Sequence, residues 1–257
     1  MPKKELTKLT EYSPYIEITE QGQTDVGRPL HTVIFNYDKE FDGSKIDRSK
    51  KAILFINNAI HPGESCGVDA TVKLFEYLSK HGREHSNLIV VAIPVYNIGG
   101  MLNRSKYSRS GQSGPVECGF RGNYQHLDLN RDFIKSDAIN TDSFHKIFHT
   151  WKPHLFMDTH TTNGSDHQYP LSLIVSQRNK MNTILADYTY EKVEKYLYRK
   201  MAEKKKEIVP YVYLMKRTPN EGIKDFLETP RYSSGYVNLF NTIGLISEAH
   251  KYASFQN

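Results

Sequence analysis

The stretch Ala52-Ile-Leu-Phe-Ile-Asn-Asn-Ala-Ile-His61-Pro-Gly-Glu64 joins a continuous apolar run to a His-x-x-Glu motif. Residues 52–57 predict a strand that is buried on both faces, as in a parallel sheet. Open α/β sheets place their binding and catalytic residues just beyond the carboxyl ends of strands. Imidazole and carboxylate are good zinc ligands, and His61 and Glu64 are close enough in sequence to converge on one ion. This stretch therefore predicts an α/β fold and, at the end of one strand, a candidate metal site.

Apolar runs and helical patterns alternate along the rest of the chain. Strands are predicted at 31–36, 88–95, 155–158, 171–175, 211–215 and 244–247. Three helices are predicted from apolar residues at helical spacing: one that Gly82 ends, one that Pro153 ends and one over 182–204. The polar residues 1–30 carry no predicted element before residue 31, and residues 97–131 predict a long functional loop. This order predicts a single-domain α/β/α sandwich over 1–257, with a mixed, mostly parallel central sheet.

The composition is that of a globular protein and excludes several classes of function. The 34 Lys+Arg exceed the 29 Asp+Glu by only five and form no dense basic block, so nucleic-acid binding is not expected. No window approaches 18 consecutive apolar residues, so no membrane span is expected. The N-terminal lysines precede no apolar stretch. The sequence therefore shows no secretory signal and leaves the location unknown: a periplasmic or secreted protein whose signal is absent from this chain is favoured, and a cytoplasmic location is the alternative. Cys66 and Cys118 cannot build a disulfide framework.

A third metal ligand is needed, because His-x-x-Glu alone is a weak motif. A second copy, His81-Gly-Arg-Glu84, follows a predicted helix in a charged segment, and we interpret it as a solvated turn. His160 closes the apolar run Leu155-Phe-Met-Asp-Thr-His160, again at the end of a predicted strand. A helix cap or a loop histidine is the alternative for His160. It is the third candidate ligand.

Another pair of histidines, in His145-Lys-Ile-Phe-His149, would share one side of a helix. The zinc protease helix requires Glu directly after the first His, as the general base, and Lys146 stands there instead. We interpret this pair as surface residues.

Two further segments carry charged residues that suit substrate chemistry. In Asp128-Leu-Asn-Arg131-Asp132-Phe133, the planar guanidinium and the neighbouring amide can bind a carboxylate, although an ion pair of Arg131 with Asp128 or Asp132 is the alternative. In Gly244-Leu-Ile-Ser-Glu248-Ala-His250, Glu248 ends a short apolar run. Such a glutamate either pairs with a cation or is a catalytic group of raised pKa.

These segments occur in the order found in one family. The sequence resembles the zinc carboxypeptidases related to pancreatic carboxypeptidase A, from Gly27-Arg28-Pro29-Leu30 to Glu248. The segment Pro230-Arg-Tyr-Ser-Ser-Gly-Tyr236 is more similar to bacterial members than to the digestive enzymes. The resemblance implies a carboxypeptidase-like fold and one zinc ion per chain, with His61, Glu64 and His160 as ligands.

The same resemblance implies roles for the remaining candidates. Glu248 matches the general base, and Asn130 with Arg131 matches the pair that binds the terminal carboxylate of the substrate. Arg121 falls where the family has its carbonyl-polarising arginine, with Arg104 and Arg109 as alternatives. Tyr232 is the expected substrate-capping tyrosine because it precedes Ser-Ser-Gly, and Tyr236 is the alternative.

The implied activity is zinc-dependent hydrolysis of the C-terminal peptide bond, with a peptide that has a free C-terminal carboxylate as partner. A zinc-dependent deacylase of N-acyl amino acids and a non-catalytic zinc- or peptide-binding module are the alternatives. The sequence departs from the family in two places. Only nine residues follow Glu248, where the family usually adds a helix, so the chain is truncated or that helix is absent. The region between His160 and Glu248 is also short, so the sequence does not identify the residues of the specificity pocket.

Overall fold

The computed structural model describes residues 2–109, 111–112, 115–164 and 168–251. Within these ranges, no helix combines the length and apolar character needed to cross a bilayer. The helices are α1 (Pro2–Tyr12), α2 (Cys66–His81), α3 (Ile98–Leu102), α4 (Ile139–Trp151), α5 (Thr183–Tyr188), α6 (Lys195–Glu203) and α7 (Ser233–Asn238). The strands are β1 (Ile16–Gln23), β2 (Pro29–Asn36), β3 (Ala52–Asn57), β4 (Leu88–Ile93), β5 (Arg104–Ser105), β6 (Cys118–Gly119), β7 (Leu155–Thr161), β8 (Leu171–Val175), β9 (Ile208–Pro210), β10 (Tyr213–Leu214), β11 (Ile223–Lys224) and β12 (Ile243–Ala249).

Eight strands form one sheet in the order β1-β2-β4-β3-β7-β12-β8-β9. Four neighbouring pairs are parallel and three are antiparallel, and the central run β4-β3-β7-β12 is parallel throughout. The predicted fold class, an α/β sandwich with a mixed, mostly parallel sheet, is therefore confirmed. Because β3, β7 and β12 are adjacent and parallel, their carboxyl ends lie at the same edge of the sheet.

Helices cover both faces of this sheet. On one face, α4 and α7 pack on the largest core cluster, in which the Phe55 ring contacts the rings of Phe144 and Phe156. On the other face, α1 and α2 bury Leu6 and Phe75 against the central strands. Burial of each such side chain contributes about 1.5–3 kcal/mol. The central strands are therefore packed on both faces, which positions the carboxyl ends that they present.

Residues 1–30 form more structure than their composition predicts. They contain helix α1 and strand β1, neither of which was expected. Strand β1 pairs only with β2, at the edge of the sheet, and five of its eight residues are polar or charged. An edge strand has one side without a neighbouring strand, and only one residue of β1 is buried, so it lacks the continuous apolar run by which buried strands are recognised.

Three later predictions also need correction. Of the strand expected at 211–215 only the two residues of β10 form, and the unpredicted strand β9 lies just before that range. The helix expected over 182–204 is a helical run in which the π-helical segment Thr189–Glu194 separates α5 from α6. The long loop at 97–131 contains α3, β5, β6 and a 3₁₀ turn at Leu129–Arg131. These elements are short, so they leave no long periodic pattern in the sequence.

Candidate metal centre and substrate cleft

The candidate site lies where β3, β7 and β12 end. His61 and Glu64 follow β3, whereas His160 and Glu248 are the last residues but one of β7 and β12. Glu248 is directly opposite His160 in the parallel pairing of β12 with β7. Residues about 100 and 190 positions apart in the chain are thereby brought to one edge of the sheet, as the α/β prediction requires.

The connection between β3 and α2 is a tight turn that brings Glu64 back over the sheet. Ala59 is fully buried with a positive φ of 54°, a conformation that non-glycine residues rarely adopt. The amide of Glu64 donates to the carbonyl of His61, 2.8 Å away. Helix α2 then starts against β7 so closely that a Cβ on Gly67 would lie 2.0 Å from Oγ1 of Thr159. Gly67 is thus required for this close approach, which fixes the position of the motif.

His61, Glu64 and His160 form a buried cluster of three ligand-type side chains. Nδ1 of His61 lies 3.1 Å from Oε1 of Glu64, and Nδ1 of His160 lies 3.0 Å from Oε2. One ligand atom from each residue can be chosen so that all three lie within 4.8 Å of one another. Each side chain is no more than 4 % exposed. This is the only such cluster of three or more His, Cys, Asp or Glu residues in the described parts of the chain.

Two buried or partly buried carboxylates face the other nitrogen of each imidazole ring. Nε2 of His61 lies 3.2 Å from Oδ1 of Asp128. Nε2 of His160 lies 3.2 Å from Oδ2 of Asp158, at an angle that is poor for a hydrogen bond. A carboxylate that accepts from Nε2–H fixes the tautomer in which Nδ1 carries a lone pair, and this is the usual support for a metal-bound histidine.

The ionisation of the cluster shows that it stabilises positive charge. Burial opposes ionisation of Glu64, but the nearby His61 and the hydrogen bond from His160 hold the Glu64 pKa well below its ordinary value. Burial also opposes protonation of His160, but Asp158 and Glu64 raise its pKa well above the ordinary value. The surrounding carboxylates therefore favour a cation between them, either as protons on the rings or as a metal ion that displaces those protons.

The donor set fits zinc. Two imidazoles and one carboxylate are a common set for catalytic zinc, which keeps a further position for water or substrate. Ligand atoms bound at 2.0–2.1 Å in tetrahedral geometry are about 3.3 Å apart, close to the N···O distances around Glu64. Cys66 and Cys118 are free and are not needed for the set.

Glu248 projects into the cleft beside the cluster. It is partly buried, and no hydrogen bond or ion pair to its carboxylate is found within the described residues. Burial is the main reason that its pKa is raised to about 7, with an opposing effect of His160 and a reinforcing effect of Glu64. A carboxyl group with this pKa can both accept and donate a proton near neutral pH.

Arg131 and Asn130 line the same cleft. One guanidinium nitrogen of Arg131 donates to the Asn130 carbonyl at 2.7 Å, and the guanidinium carbon lies 4.6 Å from the centre of the Tyr232 ring. Asp128 pairs with Arg121 instead, and Asp132 accepts hydrogen bonds from Ala138 and Thr141. Within the described ranges, no carboxylate lies at ion-pair distance from Arg131. The alternative that it pairs with Asp128 or Asp132 is therefore not what the structure shows.

Comparison with known proteins agrees with this geometry. The family model described as zinc carboxypeptidase matches residues 3–239. The chain belongs to the zinc carboxypeptidase family. Glu248 lies beyond the matched range, so its assignment rests on the fold and on its position opposite His160. No curated protein gives a significant match to the sequence.

Solved structures of metallocarboxypeptidases share the fold at low sequence identity. The metallo-carboxypeptidase of Burkholderia cenocepacia is 16 % identical with a TM-score of 0.68, over 97 % of this chain and 59 % of that one. The Pseudomonas aeruginosa metallo-carboxypeptidase, solved with (2-guanidinoethylmercapto)succinic acid, is 13 % identical with a TM-score of 0.68, over 96 % and 58 %. Carboxypeptidase A of Helicoverpa armigera is 14 % identical with a TM-score of 0.66, over 97 % and 63 %. The chain spans about three fifths of the length of these proteins.

The arginines of this family member occupy different places. Arg121 lines the cleft, is 45 % exposed and forms an ion pair of 2.9 Å with Asp128. Arg109 also lines the cleft and donates to Oε1 of Glu64. Arg104 is exposed and donates to the Glu117 carbonyl, outside the cleft. Of these three candidates, Arg121 and Arg109 line the cleft, and Arg104 does not.

The two candidate capping tyrosines are clearly separated. Tyr232 precedes α7 and lines the cleft. Tyr236 is only 5 % exposed and belongs to the main core, where its hydroxyl lies 3.0 Å from Nε2 of His149. Of these two tyrosines, only Tyr232 lines the cleft.

The competing histidine pairs lie away from the cleft. His81 and Glu84 pair at 3.2 Å on the exposed surface, as predicted. His149 is exposed, as predicted, whereas His145 is half-buried, and both contact Tyr236.

Several cleft residues were not predicted from the sequence. Asp158 is fully buried and also accepts from Ser233. Tyr211 and Tyr213 line the cleft, with the exposed Val212 between them. The alternation of aromatic and solvent-facing residues was the available signal for the two tyrosines. Asp158 gave no comparable signal, because the sequence of a buried run does not show which side chains an aspartate within it will contact.

Proposed function

We propose that this chain is a zinc-dependent metallocarboxypeptidase that hydrolyses the C-terminal peptide bond of peptides. One observation carries the proposal: the buried metal-ligand cluster shares one cleft with Glu248 and with Arg131, a guanidinium without a carboxylate partner among the described residues. Such a guanidinium suits a free α-carboxylate.

His61, Glu64 and His160 would hold the zinc ion, and Asp128 and Asp158 would orient the two imidazoles. When bound, zinc acts as a Lewis acid that polarises the scissile carbonyl group and lowers the pKa of water. Side chains of the protein carry out the proton transfers, stabilise the carbonyl oxygen and position the substrate.

Glu248 acts as the general base and then as the general acid. Its carboxylate accepts a proton from the attacking water and delivers that proton to the nitrogen of the leaving amine. The raised pKa, about 7, suits both transfers near neutral pH. Arg121 donates to the carbonyl oxygen as negative charge develops there, a contribution commonly worth about 3 kcal/mol. Arg109, whose guanidinium donates to Oε1 of Glu64, is the alternative donor to the carbonyl oxygen.

Asn130 and Arg131 set the position of the substrate. By binding the terminal carboxylate they place only the last peptide bond beside Glu248 and the metal cluster. Tyr232 stacks on the Arg131 guanidinium and closes over the terminal residue.

The direct test is a release assay on a mixed peptide library, with the zinc-loaded enzyme and with a chelator present. We expect free C-terminal amino acids that appear only without the chelator. A parallel reaction with N-acetyl amino acids separates a deacylase, which would release acetate. Release from internal bonds, or no zinc-dependent release at all, would refute the proposal.

A further inference from the structure

Asp158 is the fully buried carboxylate beside His160. It lies two residues before His160 on β7, so the two side chains are on the same face of the sheet. Within the described ranges, two side chains donate hydrogen bonds to it. The Ser233 hydroxyl donates to Oδ2, and the side-chain amide of Asn57 donates to Oδ1 at 3.2 Å. Each oxygen of the carboxylate therefore has a donor of its own.

The two donors come from different parts of the fold. Asn57 is the last residue of β3 and is directly opposite Asp158 in the parallel pairing of β3 with β7. Ser233 is the first residue of α7, which packs on the main core from the same face of the sheet as Asp158. The last torsion of an aspartate side chain is soft, so a single donor would leave the plane of the carboxylate free to turn. A donor on each oxygen fixes that plane.

The oxygen that Ser233 binds is also the one beside the imidazole of His160. Oδ2 of Asp158 lies 3.2 Å from Nε2 of His160, while Nδ1 of the same ring lies 3.0 Å from Oε2 of Glu64. Nε2 has no hydrogen-bond partner within the described residues. A rotation of the ring that improves the angle would give it one, provided that Oδ2 stays where Ser233 holds it.

Close packing fixes the backbone around Ser233. A Cβ on Gly235 would lie 2.2 Å from the carbonyl oxygen of Thr229, so glycine is required for this approach. The amide of Tyr232 donates to the same carbonyl at 3.0 Å. No side chain caps the start of α7, and the Ser233 hydroxyl is directed to Asp158 instead. The start of α7 thus brings a fixed donor to the carboxylate.

We propose that Ser233 is a positioning residue for zinc binding: its hydroxyl holds the Asp158 carboxylate in the orientation that supports His160 as a ligand. A carboxylate that accepts from a metal-bound imidazole fixes the tautomer and the orientation of the ring, and loss of such support commonly weakens metal binding by about 10–100-fold. The inference rests on the proposed function, because it takes His160 as a zinc ligand.

The test measures the zinc Kd of the metal-free chain by competition with a chromophoric chelator. Ser233→Ala is expected to raise this Kd about tenfold or more. Ser234→Ala is the matched control, because Ser234 is equally buried in the same helix and its hydroxyl makes no hydrogen bond to Asp158. The control should keep the wild-type Kd.

The possible failures of this test are distinguishable. An unchanged zinc Kd in Ser233→Ala would overturn the inference, even with a lower melting temperature, because Ser233 would then support only the fold. Equal losses of affinity in Ser233→Ala and Ser234→Ala would also overturn it, since they would reflect the packing of α7. A wild-type chain that binds no zinc would refute the proposed function as well.

A double-mutant cycle tests the route through the carboxylate. Asp158→Asn should also raise the zinc Kd, because the amide lacks the charge that stabilises the metal-bound ring. If Ser233 acts through Asp158, adding Ser233→Ala to Asp158→Asn should change the Kd by less than about threefold, against about tenfold in the wild-type background. Fully independent effects of the two substitutions would overturn the inference.

Discussion

Replacement of Arg131 by alanine is the perturbation that best separates an exopeptidase from other zinc hydrolases. In the proposed function, the guanidinium binds the free α-carboxylate of the substrate. A peptide with a C-terminal amide lacks that charge, so the wild-type enzyme should cleave it far more slowly than the free acid. In Arg131→Ala, the free acid should become a poor substrate too.

The size of the effect follows from the surroundings of Arg131. The side chain is already positioned by the Asn130 carbonyl and by the Tyr232 ring, so little ordering is needed on binding. A hydrogen-bonded interaction with a charged group contributes about 1.5–3 kcal/mol, and a bidentate pair lies at the upper end. With about 1.4 kcal/mol per factor of ten, 3 kcal/mol corresponds to a ratio of about 100–200 between acid and amide.

The assay measures kcat/KM for one peptide as free acid and as amide, with wild type, Arg131→Ala and Arg121→Ala. Arg121→Ala is the matched control because Arg121 lines the same cleft but would act on the scissile carbonyl group, which acid and amide share. We expect it to slow both substrates alike. Thermal unfolding of each variant checks stability, since loss of the contact with Tyr232 should cost only about 0.5–1 kcal/mol.

An acid-to-amide ratio that stays at the wild-type value in Arg131→Ala would refute the reasoning. The main ground for preferring a carboxypeptidase over a general zinc amidase would then be lost. A lower melting temperature with an unchanged ratio would show that Arg131 is structural.

Three further predictions concern the metal cluster and its base. His61→Ala should lose the single bound zinc ion by metal analysis, whereas His81→Ala, at the exposed His-x-x-Glu copy, should keep it; stoichiometric zinc in His61→Ala would contradict the ligand assignment. Glu248→Gln should keep zinc and fold but lose nearly all turnover, because the amide cannot accept the proton of water; turnover like that of wild type would exclude Glu248 as the base. kcat/KM should be retained at high pH and fall as the pH drops through the pKa of Glu248. Burial raises this pKa to about 7, and bound zinc should lower it. A flat profile from about pH 8 to about pH 4 would exclude this ionisation.

The sequence by itself determined the elements whose pattern is local and strong. Strands β3 and β8 have the predicted bounds, because a continuous apolar run is typical of a strand buried on both faces. The position of His61 and Glu64 after β3 was equally accessible, since it needs only one strand and the motif that follows it. Strand β1 was missed because an edge strand with polar residues does not differ in pattern from a loop.

The family order also made the remote site residues accessible from sequence. His160 and Glu248 were selected because they follow apolar runs in the expected order, and the structure places them opposite each other on β7 and β12. What the pattern could not give is the strand order, which decides which ends are neighbours. That order depends on packing between segments far apart in the chain.

Only the tertiary structure decided which of several equivalent residues reaches the cleft. Tyr232 and Tyr236 are four residues apart, yet one lines the cleft and the other is in the core, because the start of α7 faces the site and its next turn faces α4. Arg131 is free of Asp128 because Arg121 is closer to that carboxylate. Local sequence specifies the type of each side chain, but its partners are fixed by the packing of distant segments.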